Sequence, residues 1–137
     1  MMRLLDCADF GVMYKAEKES DKDLFLQFDL TEEEYVRIAS KYPSVGFEID
    51  GKNVGGMFVR AGRIHLSVMP EYHGKWGWLF TPAFKWAFSL SDPLYAYVSR
   101  ENEKVLRFIR RHDWKQVNEI DSTVIFELTD LTTRYPK

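Results

Sequence analysis

From residue 44 onward apolar and polar or small residues alternate with a period of two, Val45, Phe47 and Ile49 against Gly46 and Glu48. Asp50-Gly51 follows, a pair that tolerates the positive φ angles of a two-residue hairpin turn, so residues 54–60 should return antiparallel. Ala61-Gly62-Arg63 signals a second turn, and Ile64, Leu66 and Val68 form the row of a third strand that stops at Pro70. The pattern ahead of this meander is different. Thr31-Glu32-Glu33-Glu34 has the form in which a cap hydroxyl and the acid three residues on satisfy free amides. Tyr35, Ile38, Ala39 and Tyr42 then recur at helical spacing, and Pro43 disfavours helical geometry at Tyr42. Residues 2–7 suit a first strand, and residues 10–17 suit a helix weakened by Gly11.

Beyond Pro70, a glycine-bearing loop leads to residues 82–88, an aromatic-rich helix whose start is most easily placed at Pro82 behind a Thr81 cap. A strand at 94–99 and a helix at 102–112, with Val105, Leu106, Phe108 and Ile109 apolar, come next. Strands at 114–120 and 122–128 close the pattern. The order is strand, helix, helix, three strands, helix, strand, helix, two strands, which predicts an α/β (α+β) sheet covered by helices.

The chain of 137 residues is expected to form one domain over 1–128 with a polar tail at 129–137. Its formal charge of -2 supplies no general attraction for nucleic acid or an anionic membrane. No stretch approaches the roughly 20 apolar residues of a membrane span, and the first residues lack the pattern of a secretory signal. One cysteine, Cys7, excludes an intramolecular disulfide framework, fits a reducing compartment such as the cytoplasm, and is expected as a small buried residue of the first strand. His65, His73 and His112 stand alone without a second ligand at metal spacing, so no metal site is expected.

One segment carries chemistry. Val68-Met69-Pro70-Glu71-Tyr72-His73-Gly74-Lys75 lies where a strand gives way to a loop and a helix, a place where backbone amides receive phosphate. A Gly-x-x-Gly loop also serves simply to turn the chain. The segment resembles the acyl-CoA binding motif of the GNAT superfamily of N-acetyltransferases, through Val68, Pro70, Tyr72, His73, Gly74 and Lys75. The strand Tyr95-Ala96-Tyr97-Val98, then Asn102, a helix and Trp114 resemble the second half of that family.

The resemblance implies a mixed, largely antiparallel central sheet and transfer of an acyl group, most simply acetyl from acetyl-CoA, to an amine of a small molecule or protein. It implies that Val68 or Met69 polarises the thioester carbonyl through a backbone amide, and that His73, Gly74, Lys75, Trp76, Gly77 and Trp78 line the pyrophosphate loop. Asn102 would contact the cofactor arm.

The chain departs from the family where Trp76 and Trp78 replace small residues, and where Ile109 replaces a tyrosine seven positions after Asn102. Replacement acid-base candidates are His65 and Ser67, on one strand face by parity, and Glu48 on a neighbouring strand. Arg107, Arg110 and Arg111 fall near one helix face and could meet phosphates of CoA or RNA, although a charged outer face is the commoner use. The rival reading is a non-catalytic relative that keeps the fold as a protein-binding or virion structural protein. Small phage-encoded members of the superfamily are similar in size and in the erosion of their motifs. A homodimer or protein partner is left open.

Overall fold

Two tight turns organise the middle of the chain. Asp50 and Gly51 hold φ angles of 51° and 80°, and Ala61 and Gly62 hold 50° and 79°. Positive φ at both central residues twists a hairpin in the sense its strands require. In the computed structural model, which describes residues 1–20, 30–72, 75, 77–112 and 114–129, these turns join β2 (Ser44–Ile49), β3 (Lys52–Arg60) and β4 (Arg63–Val68). Ahead of them come β1 (Met2–Leu5), α1 (Phe10–Ser20) and α2 (Glu32–Ala39). A 3-10 turn at Pro70–Tyr72 leads to α3 (Gly77–Leu90), β5 (Leu94–Ser99), α4 (Glu103–Arg111), β6 (Lys115–Ile120) and β7 (Thr123–Leu128). Apart from that turn, the order is the one the hydrophobic pattern predicts.

The seven strands make one sheet in the order β1-β2-β3-β4-β5-β7-β6. Every neighbouring pair is antiparallel except β4 and β5, which run parallel. The capping box forms as expected: Thr31 Oγ1 accepts from the Glu34 amide at 3.1 Å, and the Glu34 carboxylate accepts from the Thr31 amide at 3.3 Å.

Strand alternation gives the sheet two unlike faces. One packs Phe47, Met57, Leu94, Phe126 and Leu128 against α3 and α4 in the main core. The other sets Phe58 under Met13 of α1 and Tyr35 and Ala39 of α2.

Two expectations are corrected. Helix α3 starts at Gly77 and carries Pro82 inside it, rather than starting at Pro82. An interior proline costs about 3 kcal/mol, but the added turn buries Leu79 and Phe80, each worth about 1.5–3 kcal/mol. Pro82 also faces solvent, as does Trp78, whose carbonyl loses its helical donor there. Cys7 is exposed rather than buried, because β1 stops at Leu5 and the chain has already turned toward α1.

Candidate functional site

β4 is paired with β3 along its whole length, from Gly55↔Val68 to Arg60↔Arg63. With β5 it registers at Arg63↔Tyr95 alone among the described residues, beside a bond from the Tyr95 amide to the Gly62 carbonyl at 2.8 Å. The two parallel strands are thus joined at their first residues and part toward Val68 and Ser99. The ladder shows what lines the opening. Met69 donates its amide to the Val54 carbonyl at 2.8 Å, so the preceding residue, Val68, turns its N–H and C=O toward β5. Leu66 does the same two residues earlier.

The topology brings several of the sequence-predicted residues to this open end. Val68 and Met69 end β4, although the Met69 amide is committed to Val54. Lys75 follows the 3-10 turn with its Nζ 5.8 Å from the Tyr72 ring, and Gly77 is the first residue of α3. Asn102 caps α4, its Oδ1 accepting from the Val105 amide at 3.4 Å, with its own amide on the Ser99 carbonyl at 2.9 Å. Trp78 is 84% exposed. Its indole points away from the core. His73, Gly74 and Trp76 lie outside the described residues, as does the tail from residue 130.

On the α1 side of the sheet, His65 and Ser67 share one face of β4 with Arg63. The His65 ring stacks on Phe58 across the ladder, centroids 4.4 Å apart, and its Nε2 is buried with no hydrogen-bond partner among the described residues. Burial, and then the charges of Arg63 and Arg60, hold its pKa down at about 3, so the imidazole is neutral near pH 7. Glu48 is elsewhere: it sits on β2, beyond β3, and its carboxylate accepts from Arg3 Nε at 2.7 Å.

Three residues on this side of the sheet, Arg63, Tyr97 and Glu17, carry no sequence motif. The Arg63 guanidinium lies 3.9 Å over the Tyr97 ring of β5, and burial lowers its pKa against the favourable pull of Tyr97 and Glu17. Glu17 of α1 also helps burial raise the Tyr35 phenol pKa far above its usual value. Only the pairing of β4 with β5 and the packing of α1 bring these residues together. A parity argument along one strand could have flagged Arg63 with His65, but not Glu17 or Tyr97.

At the position seven residues after Asn102, Ile109 is 4% exposed in the main core. Phe108 meets Phe80 of α3 at 4.9 Å, and Trp114 stacks on Phe84 at 5.4 Å. Among the described residues no cluster of His, Cys, Asp and Glu could hold a metal ion, and no helix is long and apolar enough to cross a membrane.

No family model and no curated protein sequence matches the chain. Solved structures do. The PaiA N-acetyltransferase of Thermoplasma acidophilum, in complex with coenzyme A, superposes with a TM-score of 0.71 at 18% identity, covering 95% of this chain and 99% of that one. A GCN5-related N-acetyltransferase of Rhodopseudomonas palustris gives 0.71 at 15% identity, covering 95% of each chain. The Campylobacter jejuni N-acetyltransferase PseH, in complex with acetyl coenzyme A, gives 0.61 at 19% identity, covering 95% and 99%. Together with a mixed sheet that parts between the parallel strands β4 and β5, these likenesses show that the chain has the fold of the GNAT N-acetyltransferases.

Proposed function

We propose that the protein is an acyl-CoA dependent N-acyltransferase that moves an acetyl group from acetyl-CoA to an amine. The observation that supports this most is the parting of β4 from β5. It directs the backbone polar groups of Leu66 and Val68 at a space that an extended, amide-bearing arm fills as an added strand would. The start of α3 lies at the same end, and its unsatisfied amides and positive dipole suit a pyrophosphate. Lys75 adds a charge-assisted contact there. The residues present therefore fit CoA, and solved structures of the same fold hold CoA or acetyl-CoA.

Bound acetyl-CoA supplies an activated thioester: the amine nitrogen forms the new C–N bond as the C–S bond breaks and the thiolate leaves. The chain's part is chiefly to hold the two reactants in line, which alone contributes several kcal/mol to the rate. His65, stacked on Phe58 on the α1 side of the sheet, is neutral. With its pKa near 3 it does not retain the ammonium proton, which passes to solvent or to an incoming base. Ser67, buried on the same face, orients rather than ionises. With Ile109 in the core, no phenol meets the leaving thiolate from that position, so the thiolate leaves unprotonated and is neutralised by water.

Calorimetry with acetyl-CoA, followed by a thiol-release assay against a panel of amines, tests this. Micromolar binding that Gly74→Val abolishes and Lys75→Ala weakens, with thiol release in the presence of an amine, is the expected result. Absence of binding removes the proposal. Binding without transfer to any amine would support the second reading, a cofactor-holding relative without catalysis, which the buried Ile109 favours.

A further inference from the structure

The sequence has nine arginines, and four of them, Arg100, Arg107, Arg110 and Arg111, line one open groove of about 660 Å³. Glu103, Leu106 and Val124 complete its lining. The lining thus carries four arginines and one acid, Glu103, in a chain whose formal charge is -2, and with Arg100 paired to Glu119 outside the lining, Arg107, Arg110 and Arg111 remain in excess. Such segregation of charge creates a local positive field that the composition conceals.

The groove is separate from the opening between β4 and β5. Helix α4 turns Phe108 and His112 toward Phe80 of α3, each ring pair 4.9 Å apart. At 3.6 residues per turn, Arg110 stands about 160° around the helix from Phe108. Arg110 thus occupies the opposite flank, and Arg107, about 100° from Phe108, lies on the same side of the helix as Arg110, in the groove that Val124 of β7 also lines. Arg100 is tied at the end of the groove by an ion pair with Glu119 of β6.

The lining selects among anions. From Glu103 to Arg111 the helix runs about 12 Å, too long for one phosphate and about the span of four residues of extended peptide. Guanidinium forks pair with carboxylates in bidentate fashion. Leu106 and Val124 give the floor an apolar strip for an aliphatic side chain. None of the lining residues is aromatic, so nothing offers the stacking platform on which single-stranded nucleic acid relies.

We propose that this groove docks an extended acidic segment of a partner protein, with carboxylates on either side of an aliphatic residue. Fluorescence anisotropy with a labelled Glu-Glu-Leu-Glu-Glu peptide at low salt tests it on the whole protein. The expected result is micromolar binding that weakens about tenfold or more in Arg107→Gln/Arg110→Gln and is largely kept in Arg107→Lys/Arg110→Lys. Glu103→Gln, which removes the carboxylate from the groove's lining, should tighten binding and gives a readout that does not depend on the stability of the double variant. Acetyl-CoA affinity should be the same in all three variants, so the test stands apart from the acyltransferase reading. The proposal is overturned by absence of binding, by equal binding of a Lys-Lys-Leu-Lys-Lys peptide, or by a double glutamine variant that binds the acidic peptide like wild type. Tighter binding of a single-stranded oligonucleotide would overturn it in favour of nucleic acid, and loss of acetyl-CoA affinity in the double variant would return the groove to the cofactor.

Discussion

β4 meets its two neighbours in opposite ways. Toward β3 it is closed by a continuous antiparallel ladder, and Gly55 lets the backbones approach so closely that a Cβ there would lie 2.2 Å from the Ser67 carbonyl oxygen. Toward β5 it is held at one rung and then released. A hairpin turn sets the first contact locally. The second joins residues more than thirty positions apart through a crossover helix, and the packing of α3 and α4 on the sheet decides how far it extends. The closed side supplies rigidity, and the open side supplies backbone groups for a ligand.

The largest test of this contrast removes what braces the open side. Phe84 stacks on Trp114 and so links α3, over the β1–β4 part of the sheet, to the segment entering β6. Phe84→Ala should cost about 3–5 kcal/mol in urea unfolding. A loss below about 1 kcal/mol would mean that the sheet alone holds the two parts together.

The closed side is attacked by Gly55→Ala. The added methyl group meets backbone rather than a side chain that could swing away, so a loss of about 1–3 kcal/mol is expected, with weaker acetyl-CoA binding as β4 shifts. Unchanged stability and affinity would show that the close approach does not matter.

His65 sharpens the contrast through pH. Its pKa is about 3 in the folded protein against about 6.5 in the unfolded chain. As pH falls below about 6.5 the unfolded chain takes up a proton that the folded protein refuses. The contribution is therefore complete above that pH and declines toward about pH 3, by at most about 1.4 kcal/mol per unit. Between about pH 6.5 and 5 the wild type should lose about 1–2 kcal/mol relative to His65→Phe, which keeps the stack on Phe58. Parallel stability curves for the two proteins would refute it.

The smallest effect belongs to Asn102 at the open end. Asn102→Ala removes the cap on Val105 and should cost about 1 kcal/mol, whereas Asn102→Ser should cost a few tenths at most. If acetyl-CoA affinity falls in both variants, the amide touches the cofactor. If it falls in neither, capping is its whole role.

Residues whose conformation is a local matter were legible in the sequence. Asp50-Gly51 announced its turn because few residue pairs tolerate positive φ, Gly62 marked the second turn although Ala61 beside it is not a residue that favours positive φ, and Thr31 with Glu34 announced a helix start because both capping bonds close within one turn. The period-two rows of β2 and β4, and Asn102 at the head of α4, were equally readable. The start of α3 was not. A proline argues locally against a helix, and only burial of Leu79 and Phe80 outweighs it. The same limit applies to Trp78, whose exposure follows from the helical phase that this earlier start imposes.

By itself, then, the sequence determined the order of elements, their turns and caps, and the two-faced character of the strands, all set by interactions within a few residues. Tertiary structure alone decided where β4 leaves β5, which way the Met69 and Val68 amides turn, that Arg63, His65, Tyr97 and Glu17 share one side of the sheet, and that four arginines face one groove. Each of these depends on the register or packing of segments far apart in the chain. Their free energy comes from apolar area removed from water between elements, a quantity that no local pattern specifies.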